Sequence, residues 1–206
     1  WMHSLNAKIS EPVAIASILS DRFKAPVYID NDVNCAALAE LCFGIGKTSD
    51  HFILVNVGTG VGCGIVDGGR IVRGVSNSAG EMGHMSVETG GDLCPCGFFG
   101  CLESIVGGAA IIRSAVSMLP GYPDSALNAL HAEGNLHSNS IFDAARAGDA
   151  LAIKITQRCV KALGVGIVNI ANLLNPEYVV FAGSVMGNDW FVEQVRKFVS
   201  DNLLIF

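Results

Sequence analysis

The chain has 206 residues, of which 19 are Asp or Glu, 13 are Lys or Arg, 24 are Gly and 7 are Cys. Half of them are hydrophobic and 16% are charged, which argues against disorder and supplies a core for one domain or two small ones. A net charge of −6 argues against this segment gripping a nucleic-acid backbone by charge.

The chain opens at Trp1, partway into an α/β pattern, and reads as a fragment. Its start lacks the basic region and apolar run of a secretory signal. Ser10 is expected to cap a helix reaching about Phe23, with Glu11 and Pro12 in its first turn. Pro26 to Asp30 reads as a strand, and Asn31 or Asp32 then caps a helix ending near Gly44. Phe52 to Val57 and Val61 to Val66 read as strands joined through Gly58-Thr59-Gly60. Asp67-Gly68-Gly69 is a hairpin signal leading to a strand at Arg70 to Arg73. Residues 74 to 103 are Gly-rich and irregular, and a helix covers Ala109 to Met118. Residues 119 to 139, rich in Pro, Gly, Asn and Ser, are expected to form a flexible excursion. Helices over Ile141 to Ala147 and Asp149 to Leu174, a strand at Tyr178 to Ala182 and a helix at Asp189 to Leu203 complete the chain. The charge-free stretch from Ala162 to Pro176 contains three Asn and is shorter than the roughly 20 residues of a membrane span. The alternation predicts an α/β fold, a mixed sheet flanked by helices.

The cysteines fall into two groups. Cys35, Cys42, Cys63 and Cys159 stand alone in apolar segments and read as small core hydrophobes. Cys94, Cys96 and Cys101 cluster downstream of His84. Three thiolates and one imidazole can make a tetrahedral Cys3His zinc site, and four protein donors make such a site structural. Three unrelated loop cysteines are the alternative. An odd cysteine total disfavours a disulfide scaffold, and a cytoplasmic protein with one thiolate cluster fits the count better.

Two further constellations carry possible chemistry. Asn31-Asp32 lies at a strand-to-helix junction, where ligands gather in open α/β folds. An Asp there could take a proton from a hydroxyl attacking phosphorus, or could simply cap the helix. In Gly58-Thr59-Gly60-Val61-Gly62-Cys63-Gly64, close glycines let backbone N–H groups approach a phosphate. A plain glycine-rich hairpin is the alternative.

Asn31-Asp32, Gly58-Thr59-Gly60, Gly80-Glu81-Met82-Gly83-His84 and Cys94-x-Cys96-Gly97-x2-Gly100-Cys101-x-Glu103 follow one another in an order that resembles the ROK family of repressors, open reading frames and kinases. The resemblance runs over nearly the whole chain. It implies the actin-like, hexokinase-like ATPase fold with ribonuclease H-like lobes. Residues 1–206 would be the C-terminal sugar-binding lobe, with a zinc loop over 84–101. It also implies that Asp32 is the catalytic base, and that Asn31, Asp32, Glu81, His84 and Glu103 bind a sugar. Gly58, Thr59 and Gly60 would form the second phosphate loop, and His84, Cys94, Cys96 and Cys101 would hold the zinc.

Two departures bear on activity. The family's first phosphate loop, Asp-x-Gly-Gly-Thr, does not occur in these residues. Near the adenosine end, where family kinases usually place paired glycines, the chain reads Phe181-Ala182-Gly183-Ser184. The resemblance therefore implies one of two functions. The first is a sugar-sensing transcriptional regulator whose DNA-binding segment lies upstream of Trp1. The second is an ATP- and Mg²⁺-dependent sugar kinase. The missing second glycine at 184 and the wording of Asp30-Asn31-Asp32-Val33-Asn34 and Cys94-Pro95-Cys96-Gly97 favour the regulator, and Asp32 with the unbroken Gly58-Thr59-Gly60 favours the kinase. A hexose or N-acetylhexosamine ligand, a homo-oligomeric state and a cytoplasmic location are expected for either.

Overall fold

The computed structural model describes residues 2–4 and 9–204. It begins with a two-stranded antiparallel ribbon, β1 (Met2–Ser4) and β2 (Ile9–Val13). Ser10 therefore lies in a strand and caps no helix. Helix α1 (Ile15–Phe23) starts behind Ala14, which offers no side-chain cap. The β-branched ends of β2 favour extended backbone, and Pro12 is tolerated in so short an edge pair. Residues 26–30 also depart from expectation. They have no regular structure and pair with no strand among the described residues, because β-propensity supplies no neighbour for the backbone groups. Helix α2 (Asp32–Phe43) forms as its signals predict, with Asn31 Oδ1 accepting the N–H groups of Val33 and Asn34 at 2.8 and 3.2 Å.

The sheet is mixed. Strands β3 (Phe52–Val57), β4 (Val61–Asp67) and β5 (Arg70–Ile71) form an antiparallel meander. Gly68 and Gly69, both at positive φ (55° and 69°), make the tight turn between the last two. Strand β6 (Tyr178–Ala182) joins β3 in parallel, so the order is β5-β4-β3-β6.

Helices cover both faces, and the period-2 alternation of β3 divides its side chains between them. Phe52 and Leu54 face α2, packing with Val33, Ala37 and Val66. Ile53, Val55 and Val57 face the larger core, formed with α3 (Glu103–Val106), α4 (Gly108–Met118), α5 (Leu127–Ala132), α6 (Ser138–Arg146), α7 (Ala150–Leu174) and α8 (Asp189–Asn202). Each such fully buried side chain stabilises the fold by about 1.5–3 kcal/mol before entropy is counted. Helix α2 sits unusually close to the sheet. A Cβ at Gly64 would stand 2.5 Å from the Ala37 Cβ, and one at Gly62 would stand 2.8 Å from Val33 Cγ2. Half of the glycine run thus admits a helix rather than a phosphate.

The expected excursion at 119–139 is tied down. Leu127 is fully buried, Asn128 Nδ2 donates to the carbonyls of Tyr122, Pro123 and Ser125, and Asp149 accepts from Ser125 Oγ and the Ala126 N–H. The Asn and Ser content that suggested flexibility supplies these internal partners. Cys63 and Cys159 are buried as expected, and burial pushes both thiols up to about 12. Cys35 and Cys42 are instead exposed, because α2 buries its other face against the glycines of β4. No described helix is long and apolar enough to cross a membrane.

Candidate functional site

The start of α2, the β3–β4 turn and the loop after β5 converge on one cleft of about 760 Å³, within the usual size range of small-molecule sites. Asn31, Asp32, Gly58, Thr59, Gly60, Glu81, His84, Cys96 and Glu103 all line it. Cys94 and Cys101 lie buried behind it. The chain thus brings together groups drawn from widely separated segments.

Each wall has a local cause. Asp32 is the first residue of α2, and its Oδ1 accepts the Val33 N–H at 2.9 Å. Asn31 spends its side-chain oxygen on the cap, which leaves its amide NH₂ for a ligand. In the β3–β4 turn, the Gly58 N–H donates to the Gly60 carbonyl at 2.9 Å, and the Gly58 carbonyl accepts from Gly108 at 2.8 Å. Among the described residues, the N–H groups of Thr59 and Gly60 donate to no protein acceptor. Glu103 opens α3, and its Oε2 accepts the Val61 N–H at 2.9 Å. A Cβ at Gly60 would stand 2.5 Å from that oxygen, so the turn and the carboxylate need each other. Gly80, at φ 91°, lies so close to β4 that any Cβ would collide with the Cys63 carbonyl. The backbone pair between Gly80 and Cys63 (2.9 Å) straps the Glu81 loop to the sheet.

His84, Cys94, Cys96 and Cys101 present donor atoms that all lie within 4.8 Å of one another. Cys94 Sγ is 3.7 Å from His84 Nδ1, and Cys96 Sγ is 3.6 Å from Cys101 Sγ. A tetrahedral ion with bonds of about 2.0–2.3 Å needs donor–donor edges of roughly 3.5–3.8 Å, and both distances match. His84 Nδ1 faces this cluster, while Nε2 points the other way and stands 4.0 Å from Glu81 Oε2. The cluster holds its thiols unequally. Hydrogen bonds from the Phe98 backbone and from Cys94 hold exposed Cys96 down to about 7. Burial, then the neighbouring Cys96 and Cys94, push Cys101 up to about 12. Arg158 of α7 anchors the loop, with Nε donating to Glu88 Oε1 at 3.3 Å and Nη2 to Glu88 Oε2 and Asp92 Oδ2 at 2.5 and 2.9 Å.

Some cleft residues carry no motif that sequence reasoning used. Asn56 interrupts the buried run of β3 with a polar side chain, and Asn77 sits at φ 59° in the loop after β5; both line the cleft. The only signal for Asn77 is the tolerance of Asn for left-handed backbone.

An α/β lobe with a polar cleft between the start of α2 and the β3–β4 turn, braced by a Cys3His group able to hold a metal ion, is the class of protein that this geometry defines. The ROK family profile matches residues 3–205, and the chain belongs to that family. It is 41% identical over 169 residues to a glucokinase of Halalkalibacterium halodurans, covering 81% of this chain and 51% of that protein. It is 36% identical over 176 residues to the DNA-binding transcriptional dual regulator NagC of Escherichia coli K12, covering 85% and 42% respectively. The crystal structure of a ROK family transcriptional regulator, a homologue of the E. coli MLC protein, superposes with a TM-score of 0.80 at 29% identity, over 93% of this chain and 48% of that one. The chain therefore spans about half the length of these relatives, and they include both kinases and regulators. The mixed sheet and its helices agree with the actin-like, hexokinase-like fold expected from the motifs.

Proposed function

We propose that this chain is the sugar-binding C-terminal lobe of a ROK transcriptional regulator. It would take a hexose or N-acetylhexosamine into the cleft and transmit occupancy to a DNA-binding segment outside these residues. The observation that carries the reading is convergence: the carboxylates of Asp32, Glu81 and Glu103, the Asn31 amide and His84 line one cleft with ample room for a sugar. Acceptor-only carboxylates beside an amide donor suit vicinal hydroxyls, each of which both donates and accepts. His84, Cys94, Cys96 and Cys101 would hold a zinc ion, whose four protein donors make it a brace for the Glu81–Glu103 wall. Gly183-Ser184 after β6, in place of paired glycines, favours sensing over nucleotide turnover. The reading includes a homo-oligomer working in the cytoplasm.

A specific observation supports a second reading, an ATP- and Mg²⁺-dependent sugar kinase. Asp32 and the Gly58-Thr59-Gly60 turn line the same cleft, which is where a base and a phosphate loop must meet. Its Oδ1 is engaged by Val33, and Oδ2 would take the proton of the attacking sugar hydroxyl.

One preparation of the full-length protein separates the two. Sugar phosphorylation is measured with each nucleoside triphosphate, and operator binding is measured with and without sugar. For the regulator, D-glucose, N-acetyl-D-glucosamine or D-xylose changes operator affinity by about tenfold, which requires about 1.4 kcal/mol of differential sugar binding between two states. Robust turnover that falls by ~10²–10⁴ in Asp32→Asn, with sugar affinity little changed, overturns the regulator and establishes the kinase.

A further inference from the structure

Asp30 and Arg73 stand just outside the cleft, and neither lines it. Asp30 precedes the Asn31-Asp32 junction, and Arg73 follows β5, 43 positions along the chain. Arg73 donates from Nε and Nη2 to Asp30 Oδ2 at 2.9 and 2.6 Å. The other carboxylate oxygen, Oδ1, accepts the Asn31 N–H at 2.9 Å and Asn34 Nδ2 at 3.1 Å. Asn34 is itself buried. Four donors converge on one carboxylate, so it cannot turn without breaking several bonds at once. The other end of Arg73 is equally committed, because its carbonyl accepts the Ala79 N–H at 3.0 Å. That bond closes the turn that carries Asn77 and leads through Gly80 to Glu81.

The junction needs such an anchor. Segment 26–30 enters it without regular structure and without a ladder partner among the described residues, so sheet pairing does not locate Asn31 and Asp32. The 74–81 loop has no regular structure of its own. We propose that Asp30 and Arg73 are a positioning pair, which sets the separation between the Asn31-Asp32 wall and the Asn77-Glu81 wall and thereby tunes sugar affinity. Burial opposes the charge on Asp30, but the bonds from Arg73, Asn34 and Asn31 outweigh it and hold the carboxyl below its ordinary 3.8, so the pair is ionised at neutral pH. The effect on affinity rests on the sugar-binding reading above; the coupling between the two walls does not.

The test uses the full-length protein and the variants Asp30→Asn, Arg73→Gln, their double and Arg73→Lys. Amide hydrogen exchange is followed without ligand, and D-glucose, N-acetyl-D-glucosamine and D-xylose are titrated by calorimetry. Arg73→Gln should speed exchange at Val33 and Asn34, and Asp30→Asn should speed it at Ala79, while Leu54 and Val55 in β3 stay protected. Each single variant should weaken binding of the preferred sugar by about tenfold, and the double should be no worse than either, since both remove one interaction. Arg73→Lys keeps the charge but loses the fork and should fall between wild type and Arg73→Gln. Exchange changes confined to each variant's own segment overturn the pair, as do affinity losses that multiply in the double. If wild type binds none of the three sugars, the sugar-binding reading falls, and the exchange data alone uphold or overturn the coupling.

Discussion

The β3–β4 hairpin and the 84–101 loop meet at the same cleft, yet different forces hold them. In the hairpin, Phe52, Ile53, Leu54, Val55 and Val57 are at most 2% exposed, and both faces of the sheet are covered. Burial of that kind is non-directional and collective. The loop instead exposes Leu93, Phe98 and Phe99 by 58–68% and buries mainly Cys94 and Cys101. Its backbone is joined by isolated bridges, Ser86 to Cys101 and Leu93 to Phe99, rather than by a ladder. Four metal-type donors and the Arg158 clamp supply the order that apolar packing does not. One wall of the cleft is therefore as firm as the core, and the opposite wall is only as firm as its donors.

The largest expected effect comes from removing the common support. Phe52→Ala should cost about 3–5 kcal/mol, because a fully buried ring leaves a cavity between β3 and α2. The midpoint of urea denaturation should drop accordingly, and the loop should fail with the core. A loss below about 1 kcal/mol would show that the hairpin is not held by burial in the way its packing implies.

Gly64→Ala is smaller and more pointed. Its Cβ would press on the Ala37 Cβ at 2.5 Å and the Val33 carbonyl at 3.0 Å, and overpacking of this kind costs about 1–3 kcal/mol. Helix α2 must move away, taking Asn31 and Asp32 with it. Sugar affinity should fall while metal content stays at the wild-type level. Loss of both would mean that the two walls are less independent than they look.

Asp149 tests a third support, at the edge of the larger core. It caps α7 through the Ala152 N–H at 2.9 Å and holds Ser125 and Ala126 of the 119–139 segment. Burial opposes its charge, but the bonds from Ala152, Ala126 and Ser125 outweigh it and keep the carboxyl below its ordinary 3.8. A lowered native value means that the stabilisation is complete well above 3.8 and is lost as pH falls through the native value. Asp149→Ala should cost about 0.5–2 kcal/mol at pH 7 and progressively less in acid, read from urea midpoints at pH 7 and pH 3. An equal cost at both values would show that the charge is not what stabilises the cap.

Strands and helices were legible because their signals are local: the β-branched, apolar run of β3, the Asn31-Asp32 cap ahead of α2, Asp-Gly-Gly between β4 and β5. The metal group was legible for the same reason, since three of its four donors fall within eight positions, Cys94 to Cys101. What escaped depends on partners distant in sequence. Residues 26–30 have the composition of a strand but no partner among the described residues, and 119–139 has the composition of a flexible loop but is held from outside by Asp149. Asp30 and Arg73 look like ordinary surface charges until the fold brings them within 2.6 Å. Gly62 and Gly64 look like phosphate glycines until α2 is seen lying on them.

The remaining prediction has the smallest effect on the core and the largest on the loop. If the four donors hold zinc as proposed, a chelator should leave the sheet and helices folded, since none of the four belongs to the packing around β3. The loop should open between its anchors, because Arg158 still grips Glu88 and Asp92 at the base while the cysteine end is released. Chymotrypsin reports this directly. Cleavage at Phe98 and Phe99, already accessible as side chains, requires the backbone to leave its turn, and should be slow in holo protein and rapid after chelation. Tyr28, 91% exposed and far along the chain, should be cut at the same rate in both and serves as the internal reference. Cys96→Ser should reproduce the chelated pattern in metal-replete buffer. If cleavage at Phe98 and Phe99 ignores the chelator, turns and the Arg158 clamp suffice, and the metal does not hold this wall. If Tyr28 and core sites become labile together with them, the loop belongs to the core after all, and the two regions share one cooperative unit.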